Sequence, residues 1–262
     1  MTRGPGRAGR VLLGALGLIG FGVLLEVAPR LGLVPAAYAP PTSRIAGALA
    51  DQTRRPEFWE ALADTLRTWL TGLAVAVAAG LVVGVVVGAV PLLRAATAST
   101  IEFLRPIPSV ALIPLAVLLY GSGVRATLLL VVYASFWQVL VQVLHGVADV
   151  DPVARDTARS YRLGRLARIR FLVWPTALPY AVTGVRLAAS VALVLAITGE
   201  LVIGTPGLGK EIAIAQTSNA VPAMYALVVV TGLLGVTANV ATRAAERRVL
   251  AWHPAIRAEV PA

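Results

Sequence analysis

The chain has 262 residues, 58% of them hydrophobic and only 14% charged, with a net charge of +10, a mean hydropathy of +0.80 and no cysteine. A soluble domain carries about 25% charged residues, so this composition excludes a water-soluble globule. The missing cysteines also exclude a disulfide framework and a cysteine-based metal site.

At roughly 20 apolar residues per crossing, the length accommodates six spans and leaves no room for a large soluble domain. The first apolar run, Val11 to Leu25, closes with Glu26 and predicts a span over about 11–28. Its basic start and the later Ala37-Tyr38-Ala39 have features of a signal peptide, but that tripeptide lies too far beyond the run for cleavage. Residues 29–64 then form the long outer segment. Its Pro40-Pro41-Thr42-Ser43 turn leads into Ile45, Leu49, Phe58, Trp59 and Leu62, the pattern of short amphipathic helices on a membrane surface.

The second span is expected over about 68–93. Gly72, Ala76, Gly80, Gly84 and Gly88 recur in it every four residues, a small-residue stripe that serves either close helix packing or a moving interface. The third span, about 106–124, is short and broken: Pro106, Pro108 and Pro114 precede Gly121 and Gly123, and a helix from Ile107 to Tyr120 covers only about 21 Å. Interrupted helices point to substrate sites in transporters, so these three prolines are candidate pathway residues, with a merely kinked helix as the alternative. The fourth span is expected over about 126–148 and carries Gln138 and Gln142.

Residues 149–175 form the largest internal loop. Six arginines fall between Arg155 and Arg170, interleaved with Ala158, Tyr161, Leu163, Leu166, Ile169 and Phe171. That spacing predicts short amphipathic helices, which dock in a groove on a soluble partner or lie on anionic membrane lipid.

The fifth span, about 178–203, has a second small stripe, Gly184, Ala188, Ala192 and Ala196, and two ionisable residues, Arg186 and Glu200. An acid within an apolar segment is a functional candidate by default, so Glu200 and the neighbouring Thr198 join the pathway candidates. Arg186 lies about 21 Å from Glu200 along one helix and is expected to snorkel to the interface. Gly204 to Lys210, GTPGLGK, mimics a Walker A loop. Glu211 stands where a hydroxyl must reach magnesium, and no strand precedes the segment, so it reads as a turn. The sixth span is expected over about 223–242. His145 and His253 stand alone, with no ligand spacing, so neither a metal nor another cofactor is expected.

Basic residues are distributed unevenly between the two sides of these spans, fifteen on the side of the termini against seven on the other. The positive-inside rule therefore places both termini in the cytoplasm.

The loop and the following span carry a family resemblance. Asp156-Thr157-Ala158-Arg159, Pro175, Pro179, Gly184, Arg186 and the helix ending in Gly199-Glu200 resemble the EAA loop and adjoining span of bacterial ABC importer permeases, closest to the nitrate, sulfonate and taurine subfamily. Arg105-Pro106-Ile107-Pro108, Ile113-Pro114-Leu115, Gly121-Ser122-Gly123 and Gly207-Leu208-Gly209 agree in order, and the likeness runs from about Tyr38 to Val249.

The resemblance implies a single all-α transmembrane permease domain of the type I importer fold, six helices in the inner membrane, and two copies forming the pathway. It also implies cytoplasmic ATPase subunits engaged by the loop and an extracytoplasmic solute-binding protein, so the chain itself is expected not to be an enzyme. Asp156, Ala158, Tyr161, Arg162, Gly164 and Pro175 are the expected ATPase-coupling residues. Two departures stand out: the family's loop glutamate is Asp156, and Arg162 occupies the place of a glycine, with Gly164 two residues later. If that glycine makes a positive-φ turn, either the turn has shifted or Arg162 is strained. The alternative outside this family is an ion-coupled secondary transporter with Glu200 as proton carrier; an assembly protein whose loop binds only lipid is a third.

Overall fold

The computed structural model describes residues 7–35 and 37–252, so Arg3, His253 and Arg257 lie outside it. Among the described residues every regular element is helical. The order is α1 (Arg7–Arg30), α2 (Thr42–Thr53), α3 (Pro56–Ala89), α4 (Pro91–Leu104), a 3-10 turn (Ser109–Leu112), α5 (Ile113–Tyr120), α6 (Val124–Ala148), α7 (Pro152–Ser160), α8 (Arg165–Arg168), a π-helical turn (Ile169–Val173), α9 (Trp174–Ile203), α10 (Leu208–Thr217) and α11 (Val221–Val249).

Four stretches are long and apolar enough to cross a membrane: α3, α6, the continuous run Arg165–Ile203, and α11. A fifth arises if α4 and Ser109–Tyr120, which meet at an 85° bend, count as one broken crossing. The protein is thus an all-α membrane protein with four to five candidate spans among the described residues.

Two compact units emerge, one built from residues up to 60 with 211–230, the other from 61–210 with the chain from 231 onward. In the first unit, Glu26 at the end of α1 accepts from both the backbone N–H and the hydroxyl of Ser43, each at 2.9 Å, and pairs with Arg30. These bonds fix the start of α2, and the Tyr225 hydroxyl donates to the Tyr38 carbonyl at 3.0 Å.

The second unit holds the principal core. Every glycine of the first stripe faces a valine of α6: a Cβ at Gly72, Gly80, Gly84 or Gly88 would collide with Val131, Val139, Val143 or Val147 respectively. The constant offset of these pairs means that α3 and α6 run parallel and side by side, so the stripe serves close packing within one chain. Parallel neighbours require the chain to return between them, and the bent α4–α5 segment is the stretch that links them. The sequence reading missed α4. Pro91, with no N–H to lose at a first helical position, starts it immediately after α3 ends at Ala89.

The second stripe packs α9 antiparallel against α6, beside the face that α3 covers, with Gly184 next to Val139 and Gln142, and Gly199 next to Thr127; the Trp69 Nε1–H of α3 donates to the Ala189 carbonyl of α9 at 2.8 Å. Arg186 does not merely snorkel. Its guanidinium donates to Glu246 of α11 at 2.9 Å, and both side chains are partly buried. Just before α9, the π turn widens the helix ahead of Pro175, which lacks the N–H that a regular turn would use.

Candidate functional site

Three features bear on function, all within the second unit. At the α6 N-terminal end, Glu200 is fully buried on α9. The Thr65 hydroxyl donates to its Oε2 at 2.8 Å, and the Gly209 N–H donates to the same oxygen at 3.0 Å. Thr65 in turn accepts the Leu208 N–H at 2.9 Å, and the Thr127 and Thr205 hydroxyls meet 3.1 Å apart beside it.

The Gly204–Lys210 segment is therefore a lid folded onto a carboxylate. Gly204 leaves α9 at φ 83°, and Gly207 has φ 146°. A Cβ at Gly207 would overlap the Glu200 carboxylate, and one at Gly209 would overlap the Ile197 carbonyl. The mimicry of Walker A thus has a packing cause: glycines are needed where backbone closes onto Glu200. The sequence reading found Glu200 but missed Thr65, Thr127 and Thr205. Buried threonines in apolar helices carry no periodic signal. Thr198, two residues away, donates to its own helix at Val194 and does not join the cluster.

Along α6, Thr127 and Val147 are separated by about 30 Å at 1.5 Å per residue, the thickness of a bilayer's hydrocarbon core. The Glu200 cluster and the basic loop consequently lie at opposite faces. Between those depths lies the break between α4 and the 3-10 turn, containing Pro106 and Pro108, with Pro114 at the start of α5. The Tyr133 hydroxyl donates at 2.6 Å to the Leu104 carbonyl, which also accepts the Ile107 N–H at 3.2 Å, so backbone at the break is satisfied within the protein. Tyr133 also lines a cavity of about 670 Å³ with Thr71, Tyr120, Arg125, Phe136 and Trp137. The buried Trp137 Nε1 has no acceptor among the described residues. Broken helix and cavity thus meet at Tyr120, the last residue of α5, and at Tyr133, whereas Glu200 and Thr198 are not among the cavity's lining.

The loop folds as two short helices. Asp151 caps α7, accepting the Val153 N–H at 2.7 Å. The helix closes with Leu163 N–H donating to the Ala158 carbonyl and Arg162 N–H to the Arg159 carbonyl, the paired bonds of a Schellman ending. Such an ending needs a left-handed residue, and Arg162 fills it at φ 54°, while Gly164 sits at φ −61°. The turn has not shifted to Gly164, and Arg162 bears the strain.

Ala158 is buried, whereas Tyr161 is 78% and Leu166 83% exposed, with Val153 and Phe171 also open. Asp156 is exposed and pairs with Arg159 at 3.1 Å, and Pro175 is half-buried at the start of α9. The loop thus presents an apolar surface that nothing in the described chain covers.

A family model described as "Binding-protein-dependent transport system inner membrane component" matches residues 47–251. The taurine transport system permease protein TauC of Escherichia coli (strain K12) is 32% identical over 74% of this chain and 71% of its own length. The putative aliphatic sulfonates transport permease protein SsuC of the same organism is 29% identical over 60% of each. Among solved structures, a chain of the MetNI methionine ABC transporter in inward-facing form superposes with a TM-score of 0.63 at 17% identity, covering 74% of this chain and 96% of that one. The last of these bears on the fold alone.

Proposed function

Since the chain belongs to the binding-protein-dependent transport system inner membrane components, we propose that it carries a small sulfonate-, taurine- or nitrate-like solute. It is the multi-pass inner-membrane permease of an ABC importer, and ATP hydrolysis resides in separate subunits. Its family mode of transport, with ATPase and solute-binding protein as partners, displaces the ion-coupled alternative built on Glu200.

Six crossings follow if α1 is added to the four long spans and the broken α4–α5 pair. The excess of basic residues on the side of the 149–175 loop supports cytoplasmic termini. Two copies form the pathway. The solute passes along the cavity beside the broken helix, where Pro106, Pro108 and Pro114 hold the chain open and Arg125 supplies a cation to an anionic solute. Glu200 shapes the outer end of this route by fixing the lid, while Thr198, bonded to the Val194 carbonyl of its own helix, takes no part in holding it.

The 149–175 loop couples transport to ATP. Its uncovered apolar surface is the observation that carries this reading: Tyr161, Leu166 and Val153 project from short helices capped by Asp151 and Arg162. Tyr161 and its neighbours dock in a groove of the ATPase, while Asp156, Ala158, Arg162, Gly164 and Pro175 set the loop's shape. Extraction in mild detergent should recover permease and ATPase in equal numbers of subunits. Tyr161→Ala with Leu166→Ala should abolish that co-purification without lowering the permease's yield; an unchanged ratio refutes the docking role.

A further inference from the structure

At the α6 C-terminal end, a cavity of about 410 Å³ is walled by Arg155 and Arg159 of α7 and by Arg165 and Arg168 of α8. Its floor is apolar, formed where Gly88 of α3 packs on Val147 of α6. Arg155 and Arg159 share a face of α7 by their four-residue spacing, as Arg165 and Arg168 do on α8 by theirs. Only Arg159 has a carboxylate partner, the exposed Asp156; no acid pairs with the other three among the described residues. The Arg168 Nε is closed off from solvent and has no acceptor among the described residues.

Four arginines lining one cavity bring like charges together, and these repel one another. A phosphate offsets that repulsion, because arginine forks bind its oxygens in bidentate pairs. The apolar floor belongs to the last turns of membrane-crossing helices, about 30 Å along α6 from Thr127, which is the depth of lipid headgroups. A cationic wall above such a floor matches an amphiphile, with its phosphate on the arginines and its glycerol and acyl chains on the helix ends.

We propose that this cavity binds the phosphate of an anionic phospholipid headgroup, pinning the loop to the membrane so that Tyr161 and Leu166 face away from it. Assigning this end to the cytoplasmic leaflet rests on the orientation above; the lipid site itself does not.

Native mass spectrometry of the purified full chain, titrated with phosphatidylglycerol or phosphatidylcholine, tests the site, with inorganic phosphate as a further arm followed by thermal unfolding. Phosphatidylglycerol should be retained and raise the unfolding midpoint, and phosphatidylcholine should do neither. Arg165→Gln with Arg168→Gln should weaken phosphatidylglycerol binding by about tenfold or more, while Arg168→Lys and the distant Arg247→Gln weaken it less. If the double variant does not accumulate, Arg155→Gln, on an exposed helix, should weaken binding about threefold. Retention by these variants equal to the parent chain overturns the site. Stabilisation by inorganic phosphate but not by phosphatidylglycerol overturns its lipid nature.

Discussion

The Thr65 hydroxyl is bonded on both sides, donating to Glu200 Oε2 at 2.8 Å and accepting the Leu208 N–H at 2.9 Å, so that one side chain of α3 ties α9 to the start of α10. Because Gly209 donates to the same carboxylate oxygen, Glu200 holds the lid that follows its own helix. Its Oε1 is buried and meets no donor among the described residues.

Removing the carboxylate should loosen this end of the protein. Glu200→Ala strands the Thr65 hydroxyl and the Gly209 N–H, a loss of about 1–3 kcal/mol for each buried group left unsatisfied. Glu200→Gln keeps an acceptor oxygen and should lose less. Thermal unfolding in detergent orders the three proteins; equal midpoints for the alanine and parent chains contradict the clamp.

Gly207→Ala and Gly209→Ala should both be damaging. At position 209 the new methyl meets the backbone carbonyl of Ile197, which cannot rotate away, and at 207 it meets the hydrogen-bonded Glu200 carboxylate at a φ of 146° that alanine rarely adopts. Expression yield after size-exclusion chromatography reads the loss, and a yield equal to the parent chain's for either variant contradicts the close approach of the lid. Gly164→Ala, at φ −61° with open space around it, should behave as the parent chain.

Arg162→Gly should stabilise the loop. A left-handed conformation costs a side-chain-bearing residue about 1–2 kcal/mol, and glycine removes that cost at the Schellman ending. Hydrogen exchange at the Leu163 and Arg162 amides should slow severalfold; faster exchange means that the arginine side chain, not the turn, holds the loop.

Glu246→Ala leaves Arg186 without its partner in a half-buried setting and should cost about 1–3 kcal/mol. Glu246→Ala combined with Arg186→Leu should recover part of the loss, a coupling that thermal unfolding of the double variant measures.

Much of this architecture was legible because lipid restricts the backbone to a few solutions. The charge-free run at 126–148 marks α6, the apolar run interrupted only by Arg186 and Glu200 marks α9, the prolines from Pro106 to Pro114 mark the break, and the glycine stripe marks the α3 packing face. Helix limits were less legible. α3 begins at Pro56, because the amphipathic turns carrying Phe58 and Trp59 continue into the span. The site was legible only in part. Glu200 stands out as a lone acid, but its partners are one hydroxyl, that of Thr65 on a distant helix, and one backbone amide, that of Gly209, and no local pattern records either. Likewise, the run of arginines is plain in the sequence, whereas the convergence of Arg155, Arg159, Arg165 and Arg168 on one cavity follows only from the turn at Arg162.

The most direct test is solute uptake into proteoliposomes holding the permease and its ATPase, with the binding protein and a labelled sulfonate outside and ATP inside. The account predicts uptake that requires hydrolysable ATP, survives collapse of ion gradients and is lost in Tyr161→Ala with Leu166→Ala. Uptake that proceeds without ATP and stops with an uncoupler would contradict it.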